Sequence, residues 1–304
     1  MSTLPKKIGA EAIAEKGWLA SHKWLILRRM SQLGILAVFL AGPWLGLWIV
    51  KGNLNYSYTL GVLPLADPYV LLQSMLSGNA PEMLALFGAA MVMVFYMLVG
   101  GRAYCAWVCP VNLVADGANW VRLLLGLKGG AHLPRSTRYW MLAMTLVVTV
   151  LSGTIAWEML NPVSMLHRGL IFGMGFGWVV IVTVFLFDLF VVQRGWCGHV
   201  CPTGAFYALI GRASVLRIQL PRRDACNNCM DCYAVCPEYQ VIKPALKAVD
   251  GAAPIILDAQ CVNCGRCIDV CSKDVFAFGT RFGVLPKAGA KSQPTNDEAS
   301  GSPS

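Results

Sequence analysis

Four long stretches of this chain carry almost no charge. Residues 30–50, 83–101 and 139–157 contain no Asp, Glu, Lys or Arg, and 169–193 contains only Asp188. A helix needs about 20 apolar residues to cross a bilayer. One such run would fit a buried core helix equally well, but four in one chain argue for a bilayer. Composition agrees: 56 % of residues are hydrophobic and 13 % charged, against about 25 % charged in soluble domains. The expected fold is an α-helical membrane protein with four transmembrane helices.

The basic residues predict its orientation. Lys6, Lys7, Lys16, Lys23, Arg28 and Arg29 precede the first run, and Arg102, Arg122, Lys128, Arg135 and Arg138 lie between the second and third. Arg194, Arg212, Arg217, Arg222 and Arg223 follow the fourth, while the opposite loops hold only Lys51 and Arg168. The positive-inside rule places both termini and the 102–138 loop in the cytoplasm. The net charge of +9 is thereby read as topology. No basic stripe is interleaved with aromatics, so nucleic acid is not an expected partner. Residues 1–29 read as a cytoplasmic N-terminal segment. No small-residue cleavage site follows the first apolar run, so it is expected to stay as a span rather than leave with a signal peptide.

Residues 30–216 read as a duplicated membrane domain. Arg102, Cys105, Cys109 and Pro110 recur at Arg194, Cys197, Cys201 and Pro202, each 92 residues on, and Tyr104 becomes Trp196. "LADP" at 65–68 and "MLNP" at 159–162 each precede the second span of a pair. Two repeats of two spans insert the same way up, as parallel repeats do. Both C-x-x-x-C-P motifs then lie at the cytoplasmic ends of spans two and four.

Residues 217–283 change character and carry two runs of the form C-x2-C-x2-C-x3-C. Cys226, Cys229, Cys232 and Cys236 make the first, closed by Pro237. Cys261, Cys264, Cys267 and Cys271 make the second, with Ser272 in place of the proline. Three thiolates of such a loop face one cube of iron and sulfide, and the fourth reaches the other cube. One [4Fe–4S] cluster is thus expected on Cys226, Cys229, Cys232 and Cys271, and a second on Cys261, Cys264, Cys267 and Cys236. Zinc favours paired C-x2-C arms and is the lesser alternative. The segment reads as a bacterial ferredoxin-like α+β domain with two [4Fe–4S] clusters. Residues 284–304, rich in Ser, Pro and Gly, read as a disordered tail.

Cys105, Cys109, Cys197 and Cys201 admit three readings. Four-residue spacing puts each pair on one helix face, and the proline marks a helix break followed by a new helix. The thiols bind a metal or cofactor, cycle as dithiols, or pack as small apolar residues at a junction. Recurrence in register favours function over packing, without choosing between metal and thiol chemistry. Among ionisable residues, Asp188 within the fourth run, Glu158 at the end of the third and His167 are candidates for accepting protons from a quinol. Asp67 reads as a loop residue on the non-cytoplasmic side. His199, inside the second cysteine motif, has Trp107 as its counterpart, which argues against a symmetric site.

With these motifs in place, the chain resembles the NapH family of ferredoxin-type membrane proteins. The match rests on "EKGWLASHKWLILRR", "GPWLGLWI", "WEMLNPVS", "RGWCGHVCPTGA" and "CGRCIDVCSKDVF". The resemblance implies a quinol dehydrogenase component of the bacterial inner membrane. Its substrate would be quinol from the membrane pool. Its partners would be a NapG-like periplasmic iron–sulfur protein, a NapC-like cytochrome and the periplasmic nitrate reductase. The contrasting expectation is a maturation factor that handles thiols or metal for a respiratory reductase or oxidase, motivated by the four membrane-proximal cysteines.

Overall fold

The computed structural model describes residues 8–283 apart from 128, 132, 174 and 176. Lys6, Lys7, Lys128 and the predicted tail 284–304 lie outside the described residues.

The chain opens with two short helices, α1 (Ala10–Lys16) and α2 (Trp18–Ser21), and then α3 (Lys23–Leu45). Among the described residues, α3 is the one helix long and apolar enough to cross a bilayer. It starts seven residues before the uncharged run and draws Arg28 and Arg29 into its first turns. It stops at Gly46, whose φ of 72° ends the helix in a left-handed cap. Val50, expected inside the span, instead begins a meander of three antiparallel strands, β1 (Val50–Gly52), β2 (Tyr56–Thr59) and β3 (Leu63–Ala66). The Asn53 side chain makes its first turn by accepting from the Asn55 and Tyr56 N–H groups, each at 2.9 Å. The alternating "YSYT" of β2 has the aromatic and β-branched content of a strand.

The two halves then repeat one plan. In the first half, α4 (Pro68–Leu76) is followed by the apolar α5 (Met83–Val99), a short α6 (Ala103–Trp107) and α7 (Val111–Leu124). In the second, α8 (Thr137–Ser152) leads to α9 (Pro162–Phe172), α10 (Gly177–Leu186) and α11 (Pro202–Gly211). Asp67 caps α4 by accepting from the Tyr69 N–H at 2.8 Å, and Asn161 caps α9 by accepting from the Val163 N–H at 3.0 Å. Each cap is followed by a proline at the first helical position, where its missing N–H costs nothing.

Two further predicted spans end differently from expectation. The third helix stops at Ser152, because Gly153 takes a left-handed φ of 63°. The fourth run, 169–193, is not one helix. It breaks at Gly173, where φ is 92°, and resumes as α10, which passes into a π-helical turn at Phe187–Val191. Glycines at 173, 175 and 177 are the physical reason. Each costs about 1 kcal/mol in a helix relative to alanine, yet none carries a charge, so hydropathy does not register them. The apolar helices Met83–Val99, Thr137–Ser152 and Gly177–Val191 are all shorter than α3.

The cysteine-rich end is a compact α+β unit. Strand β4 (Leu216–Gln219) pairs antiparallel with β5 (Ala277–Thr280), and between them run α12 (Asp231–Val235), α13 (Ile242–Lys247) and α14 (Arg266–Val270). Ile218, Leu220, Ile242, Val275 and Phe276 form its core. The two cysteine runs have the same backbone. Asn228 and Asn263 are left-handed, and so are Met230 and Gly265, which start α12 and α14. Gly265 is also required by contact, since a Cβ there would lie 2.6 Å from the Trp24 ring.

Trp24 belongs to the N-terminal segment, which is docked on this unit. Asp269 of α14 accepts from the Trp24 and Leu25 N–H groups at 3.1 and 2.9 Å, so it caps α3 from another element. Asp231 of α12 accepts from the Gly9 N–H at 3.0 Å. Removing a cap costs about 1 kcal/mol. Asp269→Ala is therefore expected to destabilise the protein by that amount and to speed tryptic cleavage after Lys16 and Lys23. Unchanged cleavage kinetics would show that the latch is not needed to hold the segment.

Candidate redox centre

The structure sorts the eight cysteines of the C-terminal unit into two groups. Cys226, Cys229 and Cys232 line one pocket together with Cys271 from the other run. Cys236 has Cys264 and Cys261 as its electrostatic neighbours, and Cys267 has Cys264, Cys236 and Cys261. The fourth cysteine of each run thus crosses to the opposite group. The crossing follows from α12 and α14, whose last turns release Cys236 and Cys271 into extended backbone. Among the described residues, no three His, Cys, Asp or Glu side chains converge as ligands of one metal ion. Thiolates of an iron–sulfur cube each bind a different iron and do not meet at a single point.

A second observation bears on what the thiols hold. Arg28 is 0 % exposed, and none of its three guanidinium nitrogens has a hydrogen-bond partner. It lines a small cavity with Arg194, Arg266 and Cys264, and the Asp116 carboxylate there is already taken by three other arginines. An unpaired buried charge costs several kcal/mol. A thiolate-bound iron–sulfur cluster is anionic, so both the donor set and this orphaned cation fit such a group.

Two buried carboxylates tie the unit to the repeats. Glu238, 1 % exposed, accepts from Arg102 at 2.6 Å, Arg138 at 2.9 Å and Arg135 at 2.9 Å. Burial alone pushes its carboxyl up, but Arg102 and Arg138 outweigh that and bring it down to about 2. Asp116 of α7 pairs with Arg266 at 2.6 Å, Arg194 at 3.3 Å and Arg29. Burial raises its carboxyl too, and the arginines, Arg266 foremost, hold it well below the usual range. Arg102 and Arg194 are repeat counterparts, so each half contributes the same arginine to a different carboxylate.

Beyond these pairs lies a third site. Cys105, Cys109, Cys197 and Cys201 line one pocket together with Asp67, Asn161 and Tyr104. The thiols of both repeats and the capped N-termini of both short helices therefore meet in one place. Gln32 of α3 braces the first motif by donating to the Ala106 carbonyl at 2.9 Å and the Cys109 carbonyl at 3.3 Å. Arg102 donates to the Cys197 carbonyl at 3.2 Å while holding Glu238, so one side chain spans from this pocket to the cysteine-rich unit.

The proton candidates do not gather. Asp188 accepts from the Trp196 N–H at 2.8 Å and holds the turn beside Cys197. Glu158 pairs with Arg168 at 3.1 Å and accepts from Asn55 and Ser164. His167 is buried against the Phe39 ring, centroids 5.7 Å apart. None of the three lines the thiol pocket or the larger cavity beside it. Asp67 lines both. The sequence signal for it was its place before Pro68, matching Asn161 before Pro162.

Comparison with known proteins defines the class. A family model described as "4Fe-4S binding domain" matches twice, at residues 81–128 and 174–222, and a "4Fe-4S dicluster domain" matches 225–275. The double match falls on the two repeats. No solved structure matches significantly. The fold and motifs are those of a ferredoxin-type iron–sulfur electron-transfer protein. The chain is 53 % identical to the methylamine utilization ferredoxin-type protein MauN of Methylorubrum extorquens, over 90 % of its length and 94 % of the relative's. It is 45 % identical to the ferredoxin-type protein NapH of Escherichia coli, over 96 % of this chain and 100 % of the relative. The NapH of Haemophilus influenzae is also 45 % identical, over 93 % and 98 %. The chain belongs to this NapH and MauN family of ferredoxin-type proteins.

Removing one partner of a buried ion pair costs about 3–5 kcal/mol, because the other charge is left unpaired. Glu238→Gln is therefore expected to cost that much, read by denaturant unfolding of the detergent-solubilised protein. A loss under 1 kcal/mol would mean that Arg102 and Arg138 find other partners.

Proposed function

We propose that this protein is a membrane electron-transfer subunit that oxidises quinol and passes electrons through a NapG-like iron–sulfur partner toward a periplasmic nitrate reductase, with a NapC-like cytochrome as a further member. The observation that carries the reading is the continuity of the site. Arg102 lies beside Cys105 and Cys197 of the two repeats and holds Glu238, and Glu238 follows Cys236 by two residues. A continuous line of packed, hydrogen-bonded side chains thus runs from the repeat thiols to a cysteine of the cysteine-rich unit. Cys109 is buried and Cys105, Cys197 and Cys201 are half-buried; this partial shielding supports electron transfer over a maturation role, since thiol exchange with a client needs an accessible thiolate.

In this reading residues 30–216 make a four-span domain in the bacterial inner membrane, and residues 217–283 lie in the cytoplasm with both termini. Exposed Phe87, Trp140, Leu151 and Phe172 support lipid contact. Cys226, Cys229, Cys232 and Cys271 would hold one [4Fe–4S] cluster, and Cys236, Cys261, Cys264 and Cys267 a second. When bound, such a cluster supplies one-electron storage at a potential tuned by its surroundings. The greater identity to MauN supports a second reading, in which the same core serves methylamine utilization. Deleting the gene in its own host separates the two by which growth is lost, that on nitrate or that on methylamine.

The protein purified without oxygen is expected to contain about eight iron atoms and eight sulfides per chain in these two clusters. Cys271→Ser should remove the same electron-paramagnetic signal as Cys226→Ser, and Cys236→Ser the same as Cys261→Ser. Zinc in place of iron, or signals lost run by run rather than crosswise, would contradict the assignment.

A further inference from the structure

We propose that the cavity between α3, the β1–β3 meander and α5 binds an isoprenoid quinol drawn from the bilayer, with the Asp67 carboxylate accepting its hydroxyl protons. The proposal rests on the electron-transfer reading above and adds where the substrate sits.

The cavity holds about 800 Å³, within the range of sites built for small molecules. Its rim residues Met30, Leu63 and Phe95 are exposed, so it opens onto the apolar outer face of the protein. A ligand that enters there comes from lipid. The walls, with Ile35, Val38 and Val92, are apolar and suit an isoprenoid tail and a ring face. The inner end is different. Tyr96, Tyr104 and Tyr207 pack there as an aromatic cluster, with Tyr104 and Tyr207 stacked at 5.0 Å. Asp67, 7 % exposed, is the one residue among those lining the cavity that carries a formal charge at neutral pH. The Tyr207 hydroxyl faces its carboxylate. An ordinary acyl chain has no use for a carboxylate at the closed end, whereas a quinol hydroxyl donates to one.

Position relative to the thiols selects a redox ligand. Asp67 and Tyr104 line both this cavity and the pocket of Cys105, Cys109, Cys197 and Cys201. A ring held against Asp67 is therefore one layer of side chains from the repeat thiols. Oxidation of one quinol to quinone releases two electrons and two protons. The electrons leave singly to an acceptor of the iron–sulfur class, and the protons go in turn to the Asp67 carboxylate. Between the two transfers Asp67 passes its proton to water, and a polar network lies beside it. The Asp67 N–H donates to the Asn55 carbonyl at 2.7 Å, and the Asn55 side chain donates to Ser164 at 2.8 Å and to Glu158. Glu158 pairs with exposed Arg168 at the surface. Glu158 lies at the far end of this network and lines neither the cavity nor the thiol pocket.

The test uses the full-length protein in nanodiscs, prepared without oxygen, with an azido-quinone photolabel and a reduced short-chain quinol. Gly34 lines the cavity, and a Cβ there meets nothing within 4 Å. Gly34→Phe therefore starts from open space and directs a ring into the cavity. It is expected to cut labelling and quinol-driven reduction at least tenfold, with iron content and dithionite reduction unchanged. Asp67→Asn keeps the α4 cap, since Asn caps as well as Asp and stands at the counterpart position 161. It should label within threefold of wild type, while quinol-driven reduction falls about 100-fold, the usual worth of a positioned proton acceptor. Label incorporated into α8–α10, or a Gly34→Phe protein that labels and turns over like wild type, would overturn the site while leaving quinol oxidation standing. A wild-type protein that dithionite reduces but quinol does not would overturn the broader reading, and this site with it.

Discussion

Two buried carboxylates organise this molecule. Glu238 and Asp116 each collect three arginines, and those arginines come from every part of the chain. α3 provides Arg29, the two repeats provide Arg102 and Arg194, the segment before α8 provides Arg135, the first turns of α8 provide Arg138, and α14 provides Arg266. A buried ion pair is a weak source of net stability, because desolvation offsets most of the attraction. Its value lies in specificity. A guanidinium without its carboxylate is costly to bury, so alternative dockings of the cysteine-rich unit on the repeats are penalised. The arrangement sets one register between the two parts.

The same economy shapes the repeats. Each half ends a short helix with its capped N-terminus at the centre, and each then supplies two thiols from a chain break before a proline. The breaks are not identical. The first is a turn of α-helix ending at Trp107, and the second is a π-helical turn at Trp196–Val200. Tyr104 stacks on Tyr207, while its counterpart Trp196 stacks on Trp157 with centroids 6.5 Å apart. Duplication provided a symmetric frame, and the aromatic residues then diverged to give one side a large cavity and the other a packed wall. Close packing holds the frame together. A Cβ at Gly101 would lie 1.9 Å from the Tyr207 carbonyl, so the start of the first motif rests directly on α11.

Much of this was legible in the residues. The spacing of the cysteine runs carries chemistry that few other arrangements satisfy, and the 92-residue recurrence of Arg, Cys and Pro announced the duplication. Other features were not legible, for physical reasons. Hydropathy averages over a window, so it passed over Gly173, Gly175 and Gly177 and read a broken hairpin as one span. It also ran α3 into Val50, because an apolar strand and an apolar helix end have the same composition. Asp188 drew attention because it stood alone in an apolar run, yet its carboxylate serves the Trp196 N–H. Asp67 stood in a stretch that looked like a loop. Only the folding of the meander back between α3 and α5 places it at the closed end of a cavity.

The arginines show how one set of residues can feed a sequence rule and a fold at once. Arg28, Arg102, Arg138 and Arg217 all counted toward a cytoplasmic placement, and all four are at most 2 % exposed. In the finished fold they are hidden from lipid headgroups and face carboxylates, carbonyls or thiols. Insertion reads the chain before it folds, when these side chains are exposed and their charge biases orientation. Folding then uses the same residues again, and now geometry matters as well as sign. Lysine would satisfy the first use. It would not satisfy the second, because Arg102 reaches Glu238, the Gln260 carbonyl and the Cys197 carbonyl at once, and only a planar fork of donors does that. The preference for arginine at these positions therefore belongs to the interface between the repeats and the cysteine-rich unit, and the topological bias comes with it.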